Sequence, residues 1–198
     1  ASRYFSNADE FIGAKGDRGR KIQRLDGRAE GATPAVMRAV PGDGEHRIAR
    51  EREKLGAIRA LESGLTGFAE GFVRPAPGRI SGVFGSQRIL NGQPRQPHYG
   101  LDFAAPTGTP VVSCAAGRVT LADEFHFFGK LIVVDHGHGV NSLYAHLSEI
   151  AVREGENITK GQRIGAIGMT GRVTGPHLHF SLSWFQQWLD PQPVVLPS

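Results

Sequence analysis

From Arg79 to Pro191 no stretch of the chain reads as a long helix, and that narrows the fold more than any other feature. Short apolar pieces recur between turn residues instead. They are Arg79–Phe84 ending at Gly85, Val111–Val112, Gly117–Leu121, Lys130–Asp135 ahead of Gly137–Gly139, Val140–His146, and a fresh start at Ile150–Val152. In EGENITKGQRIGAIGMTG the residues Gly155, Gly161, Gly165, Gly168 and Gly171 separate pieces built on Ile158, Ile164 and Ile167, which predicts a meander of very short antiparallel strands. Strands at this spacing with no helix between them predict a mainly β fold: an antiparallel sheet core of short strands carrying a groove. Trp184, Trp188 and Leu189 close the chain against it.

The text ahead of this region is different. Residues 1–43 are polar and glycine-rich, with a possible short strand at Lys21–Leu25 before Asp26–Gly27 and a turn or two of helix between Pro34 and Val40. From Glu45 to about Glu62 the pattern predicts a helix stopped by Gly64, with Ile48, Leu55, Ile58 and Leu61 on one stripe and charged residues between them. Pro75, Pro77 and Gly78 mark a boundary. The expected organisation is an irregular and helical segment over 1–73 and a β domain over 74–198.

Charge follows the same division. Residues 1–79 carry 15 Lys and Arg against 11 Asp and Glu, and residues 80–198 carry 8 of each, so the whole net charge of +4 lies in the first part. A neutral β domain gives nucleic-acid binding little to work with. No run of 18 apolar residues exists, so no membrane-spanning helix is expected. The chain opens at Ala1 without a basic-then-apolar leader, as a mature exported protein also does, and this decides nothing about compartment. The single cysteine, Cys114, excludes an internal disulfide, and its setting in VVSCAAGRV predicts a buried, inert thiol.

Two fragments carry the chemistry: PHYGLDF at 97–103 and GPHLHF at 175–180. His98 and Asp102 supply a nitrogen and an oxygen ligand four positions apart, and His177 and His179 add imidazoles at i, i+2, on one face of a strand. Taken alone, His98 and Asp102 read equally well as a chance polar pair, and His177 as a strand-edge histidine. Together they form the ligand set that zinc takes, with three protein ligands and one position open in a catalytic site. Residues four apart in an extended strand lie about 13 Å from each other, too far to share one ion. A helix is crowded out by Pro97, Gly100 and Pro106. The chain is therefore expected to bend near His98 or Gly100, with Asp102 already in a strand. Spacing leaves open whether His177 or His179 is the ligand.

Four other histidines take minor readings: His46 solvated on the charged helix, His126 in a loop or at a strand edge, and His136 and His138 in DHGHG flanking a turn. His146, at the end of a strand after Leu143–Tyr144–Ala145, can face the same groove as the ligands. A hydrolytic zinc site needs a base for the attacking water and a donor for the tetrahedral oxyanion, and histidines left over after ligation fit both tasks.

HYGLD, YAHL and TGPHLHF, in this order with glycine-rich strands between them, resemble the LytM/lysostaphin-type zinc metallopeptidases, and the likeness runs from about Arg79 to Pro191. The resemblance implies that His98, Asp102 and His179 hold one Zn2+ and that His146 and His177 are the catalytic histidines. It implies a peptidoglycan hydrolase, a metalloendopeptidase cutting cross-links or stem peptides outside the cytoplasmic membrane, periplasmic or secreted. Whether a D,D-cross-link or a glycine bridge is cut stays open, with a Gram-negative-type periplasmic enzyme preferred. Two departures stand out. Ser181 and Leu182 follow HLHF where relatives often have Glu, a variation that leaves the implied function intact. Residues 1–73 match nothing in the pattern and are expected to be a regulatory segment able to cover the groove or meet a regulatory partner protein.

Two rivals compete. Relatives that have lost ligands act as regulators activating other cell-wall hydrolases, but every one of the five positions is present here. A biotinyl- or lipoyl-type carrier shares the strand-and-glycine rhythm around Lys160, yet has no use for HYGLD and HLH.

Overall fold

The structure is a computed structural model describing residues 43–87, 89–90, 93–94 and 96–195. The expectations for Lys21–Leu25 and Pro34–Val40 lie outside the described residues. Helix α1 spans Asp43–Arg59, a 3-10 turn spans Gly67–Glu70, and a short α2 spans Gln192–Val195. The strands are β1 Arg79–Gly82, β2 Ile89–Leu90, β3 Gln93–Pro94, β4 Leu101–Ala104, β5 Pro110–Val112, β6 Gly117–Phe125, β7 Gly129–Gly137, β8 Val140–Ile150, β9 Asn157–Ile158, β10 Arg163–Ile167, β11 His177–Trp184 and β12 Gln187–Leu189.

The fold is mainly β, as the turn rhythm predicts. One antiparallel sheet runs β1-β4-β11-β8-β7-β6-β9, with β12 against β11 and with β10 bridging β5 and β8; β2 and β3 form a separate ribbon. The central strands β6, β7, β8 and β11 are longer than the glycine punctuation suggests. β8 runs through Ile150, so Ile150–Val152 does not begin a new strand; Ala151 instead donates its N–H to Ile164 of β10. Residues 155–171 are not a meander either. Strand β9 pairs with β6 and β10 with β5 and β8, so their partners come from elsewhere in the chain.

Alternation along the strands sorts the apolar residues onto two faces. One face holds the larger core, including Leu101, Phe103, Ile132, Val134, Tyr144, Leu178 and Phe180. The opposite face holds Leu121, Phe125, Leu131, Val133, Leu143 and Ala145, and α1 sets Leu55 among them. Leu55 is the buried member of the expected stripe; Leu61 is 49% exposed. The helix ends at Arg59, short of Glu62, because the chain tightens after Gly56. Ala60 N bonds both Gly56 and Ala57 carbonyls, and Leu61 N bonds Ile58. Polar ties do much of the seating. Lys54 pairs with Asp123 at 2.8 Å, Glu51 accepts the His126 N–H at 2.9 Å, and Arg59 lies 3.5 Å over the Trp188 ring.

The β11–β12 hairpin turns through Phe185 and Gln186, with φ of 41° and 68°. Two consecutive left-handed residues match the twist of the flanking strands. No helix among the described residues is long and apolar enough to cross a membrane.

Candidate metal centre and active site

Strand pairing builds most of the site. His179 in β11 faces Asp102 in β4 and Ala145 in β8, so the imidazole and the carboxylate rise side by side from one face of the sheet. His98 precedes β4, and the chain bends at Gly100 before Asp102 enters the strand, as the spacing argument requires. The bend is tied down: His98 N donates to Ser86 and Gly85 N donates to His98.

Gly100 has no room for a side chain. A Cβ there would stand 2.4 Å from the Phe180 carbonyl oxygen and 2.9 Å from His179 Cε1. Gly82 makes the same allowance for Asp102, whose Oδ2 a Cβ would approach to 2.3 Å.

The three side chains converge on one point. His98 Nε2 lies 3.0 Å from Asp102 Oδ1, His179 Nδ1 lies 2.9 Å from the same oxygen, and the two nitrogens are 2.9 Å apart. None is more than 9% exposed. The outer nitrogens fix which edge of each ring points into the cluster. His98 Nδ1 donates to the Val83 carbonyl at 3.0 Å, leaving the Nε2 lone pair for the cluster. His179 Nε2 lies 2.9 Å from Ser181 Oγ, leaving Nδ1 for the cluster.

Ser181 thus offers an acceptor for the His179 ring, a contact invisible in the sequence. Burial pushes the Asp102 carboxyl up, but where the facing His179 and His98 nitrogens carry hydrogen their bonds to it outweigh burial and hold the group well below the usual carboxylate range; a metal ion would take the place of those hydrogens.

Two imidazole lone pairs and a carboxylate oxygen turned on one another suit a cation better than protons. The group could hold one metal ion. A tetrahedral zinc with bonds of about 2.0–2.1 Å has donor–donor edges of about 3.3 Å, so this triangle is close to one face of such a site.

His146 and His177 stand beside the triangle. Their ring centroids are 4.9 Å apart, and His146 is 6.0 Å from His179. His177 Nδ1 donates to the Gly175 carbonyl at 2.9 Å, and its Nε2 is 3.9 Å from Asp102 Oδ1. His146 Nδ1 donates to the Thr170 carbonyl at 2.9 Å. In each neutral ring Nε2 therefore keeps its lone pair. Burial, and then the charge of His179, push His146 down to about 4, so it is neutral at pH 7.

The remaining histidines are not at this site. His46 is exposed on α1 and His126 lies in the turn after β6. His138 occupies the expected turn, with φ of 50°. His136 does not: it is a fully buried residue of β7, bonded to the Ala116 carbonyl and to Ser142 Oγ at 2.7 Å each. Cys114 is fully buried beside it, and burial pushes the thiol up to about 11, in keeping with an inert group.

Comparison with known proteins agrees with this picture. The model of peptidase family M23 matches residues 96–191. Peptidoglycan DD-endopeptidase ShyA of Vibrio cholerae is 45% identical over 105 residues, covering 52% of this chain and 24% of the relative. Among solved structures, a zinc-containing peptidase from Vibrio cholerae superposes with a TM-score of 0.60 at 34% identity, covering 64% of this chain and 41% of that one. The catalytic domain of lysostaphin from Staphylococcus simulans gives 0.54 at 32% identity, covering 59% of this chain and 90% of that domain. The chain spans about a quarter of the length of the curated relatives it matches.

Proposed function

This chain belongs to peptidase family M23, and from that premise we propose that it is a zinc-dependent endopeptidase hydrolysing peptide cross-links or stem peptides of bacterial peptidoglycan. The observation that carries the reading is the convergence of five side chains. Three donor atoms lie within 4.8 Å of one another, and two neutral-tautomer histidines present bare Nε2 atoms beside them.

In this reading His98, Asp102 and His179 hold one Zn2+. When bound, the ion supplies Lewis-acid activation of water and of the scissile carbonyl. His146, neutral at pH 7, accepts a proton from the attacking water at Nε2. Oxygen–carbon bond formation is matched by cleavage of the carbon–nitrogen bond, and the proton passes to the leaving amine. His177, whose ring lies beside that of His146, would donate from Nε2 to the developing oxyanion in its imidazolium form, with a second proton taken from solvent and returned there when the carbonyl re-forms. Ser181 and the Val83 carbonyl keep the ligand rings turned inward.

Such an enzyme works outside the cytoplasmic membrane, in the periplasm or beyond. Residues 1–73 we read as a regulatory segment and 74–198 as the catalytic domain. The described part of that segment, with α1 seated on the same sheet face as the five side chains, supports a role in access.

The test is digestion of defined muropeptides with the zinc-loaded protein, with products weighed by mass spectrometry. Asp102→Ala should lose the metal and all cleavage. A metal-free parent protein without turnover would overturn the enzyme reading and favour a regulator of other hydrolases.

A further inference from the structure

His146 is held by an irregularity in the sheet, and one residue outside the sheet accounts for it. Along the β7–β8 ladder Lys130 pairs with Leu147 and Ile132 with Tyr144. Leu131 is thus faced by two residues, Ala145 and His146, which is a β-bulge with one extra residue. His146 sits in it at φ 64°, its N–H donating to the Phe128 carbonyl at 2.8 Å. A left-handed backbone at a non-glycine residue persists only where its surroundings impose it.

Thr170 supplies those surroundings. Its hydroxyl is inserted at the Lys130–Leu147 pair: Lys130 N–H donates to Oγ1 at 2.9 Å, and the same hydroxyl donates to the Leu147 carbonyl at 2.8 Å. Its own carbonyl accepts the His146 Nδ1–H at 2.9 Å. The space is made by two left-handed glycines. A Cβ on Gly129 would stand 2.2 Å from Thr170 Oγ1, and one on Gly171 2.4 Å from Gly129 N. One threonine therefore links both strands across the bulge and holds the ring that the bulge turns out.

We propose that Thr170 is the positioning residue for His146. The hydroxyl stands in for a direct ladder bond and keeps the extra residue in β8. The carbonyl fixes the tautomer that leaves Nε2 bare. This rests on the reading of His146 as the proton acceptor. The three bonds of Thr170 run to β7 and β8 and not to His98, Asp102 or His179, so loss of the hydroxyl should spare the metal.

The experiment compares Thr170→Val, which keeps the shape and removes the hydroxyl, with Thr170→Ser, which keeps the hydroxyl. Both are made in the full zinc-loaded chain and assayed on muropeptides. Thr170→Val should lower kcat about a hundredfold, as a small misplacement of a reacting group does, with KM and zinc content unchanged. Thr170→Ser should restore most of the rate. A Thr170→Val protein turning over at the parent rate overturns the proposal.

Should Thr170→Val not fold, 15N signals of the His146 ring in the parent protein decide. A proton fixed on Nδ1 supports the assignment, and a proton on Nε2 overturns it. An inactive His146→Ala with an active Thr170→Val sinks only the role of Thr170, whereas a fully active His146→Ala sinks both.

Discussion

Two regions of this sheet bury a histidine and use it in opposite ways. Around His136 the packing is closed: the ring is fully buried, Ala116 and Ser142 take one nitrogen each, and Cys114 and Tyr144 fill in behind. Around His146 it is open on one side: the ring is 8% exposed, Thr170 takes Nδ1, and Nε2 keeps its lone pair next to His177 and His179. Burial lowers both to about 4. With His146 as the proton acceptor we propose, a depressed pKa does not separate a structural from a reactive imidazole here. The uncommitted nitrogen does.

The sharpest way to break the contrast is to remove each ring in turn. His146→Ala should lower muropeptide cleavage about a thousandfold while zinc content and melting temperature hold, since general-base contributions run to that order. His136→Ala should do the reverse. It leaves a cavity and strands the Ala116 carbonyl, while Ser142 Oγ keeps its bond to the Tyr144 hydroxyl, for a loss of about 2–4 kcal/mol in urea denaturation. The protein still folded should cleave at the parent rate. Similar phenotypes from the two variants would erase the distinction.

Acid sharpens it further. The folded state holds His136 near 4 against about 6.5 unfolded, so between these values the unfolded chain binds more protons. Its contribution is intact above about 6.5 and is lost progressively as pH falls towards 4, by about 3 kcal/mol in all. A His136→Gln protein should lack that part of the pH dependence in parallel denaturation series. An unchanged slope would mean that His136 is not held neutral. The smallest effect sets the floor for the comparison. Lys54→Ala on α1 breaks an exposed pair with Asp123 that contacts neither ring, and should cost under about 1 kcal/mol with activity unchanged.

Much of this site was legible from residue spacing. His98 and Asp102 four apart, with Pro97, Gly100 and Pro106 opposing a helix, required the bend that the structure shows at Gly100. His177 and His179 at i, i+2 had to share a face, and they do. Spacing could not say which of them stands beside Asp102, because that depends on the register of β4 against β11.

His136 was misread for a local reason. The glycines around DHGHG mark a turn that does form at His138 and Gly139, but Gly137 still belongs to β7 and is glycine because the Leu65 carbonyl packs on it, a contact from over seventy residues away, so His136 stays in the strand. The bulge at His146 was out of reach for the same kind of reason. It depends on a hydroxyl 24 residues further along entering the ladder, and a lone Thr in GMTG carries no such signal. The helix stripe promised more than it delivers, since ion pairs and a cation–π contact share the seating with Leu55.

Strand order has one last consequence, for the time at which the protein acquires any chemistry. Among the described strands β11 comes after all but β12, yet it fills the slot between β4 and β8 in the middle of the sheet. Until synthesis has passed Trp184, the nascent polypeptide has a gap where His177 and His179 belong, with Asp102 waiting on one bank and His146 on the other. A chain cut short ahead of that strand is not a weaker version of the molecule but one split down its centre. Competence should therefore arrive in a single late step, after slow, long-range closure.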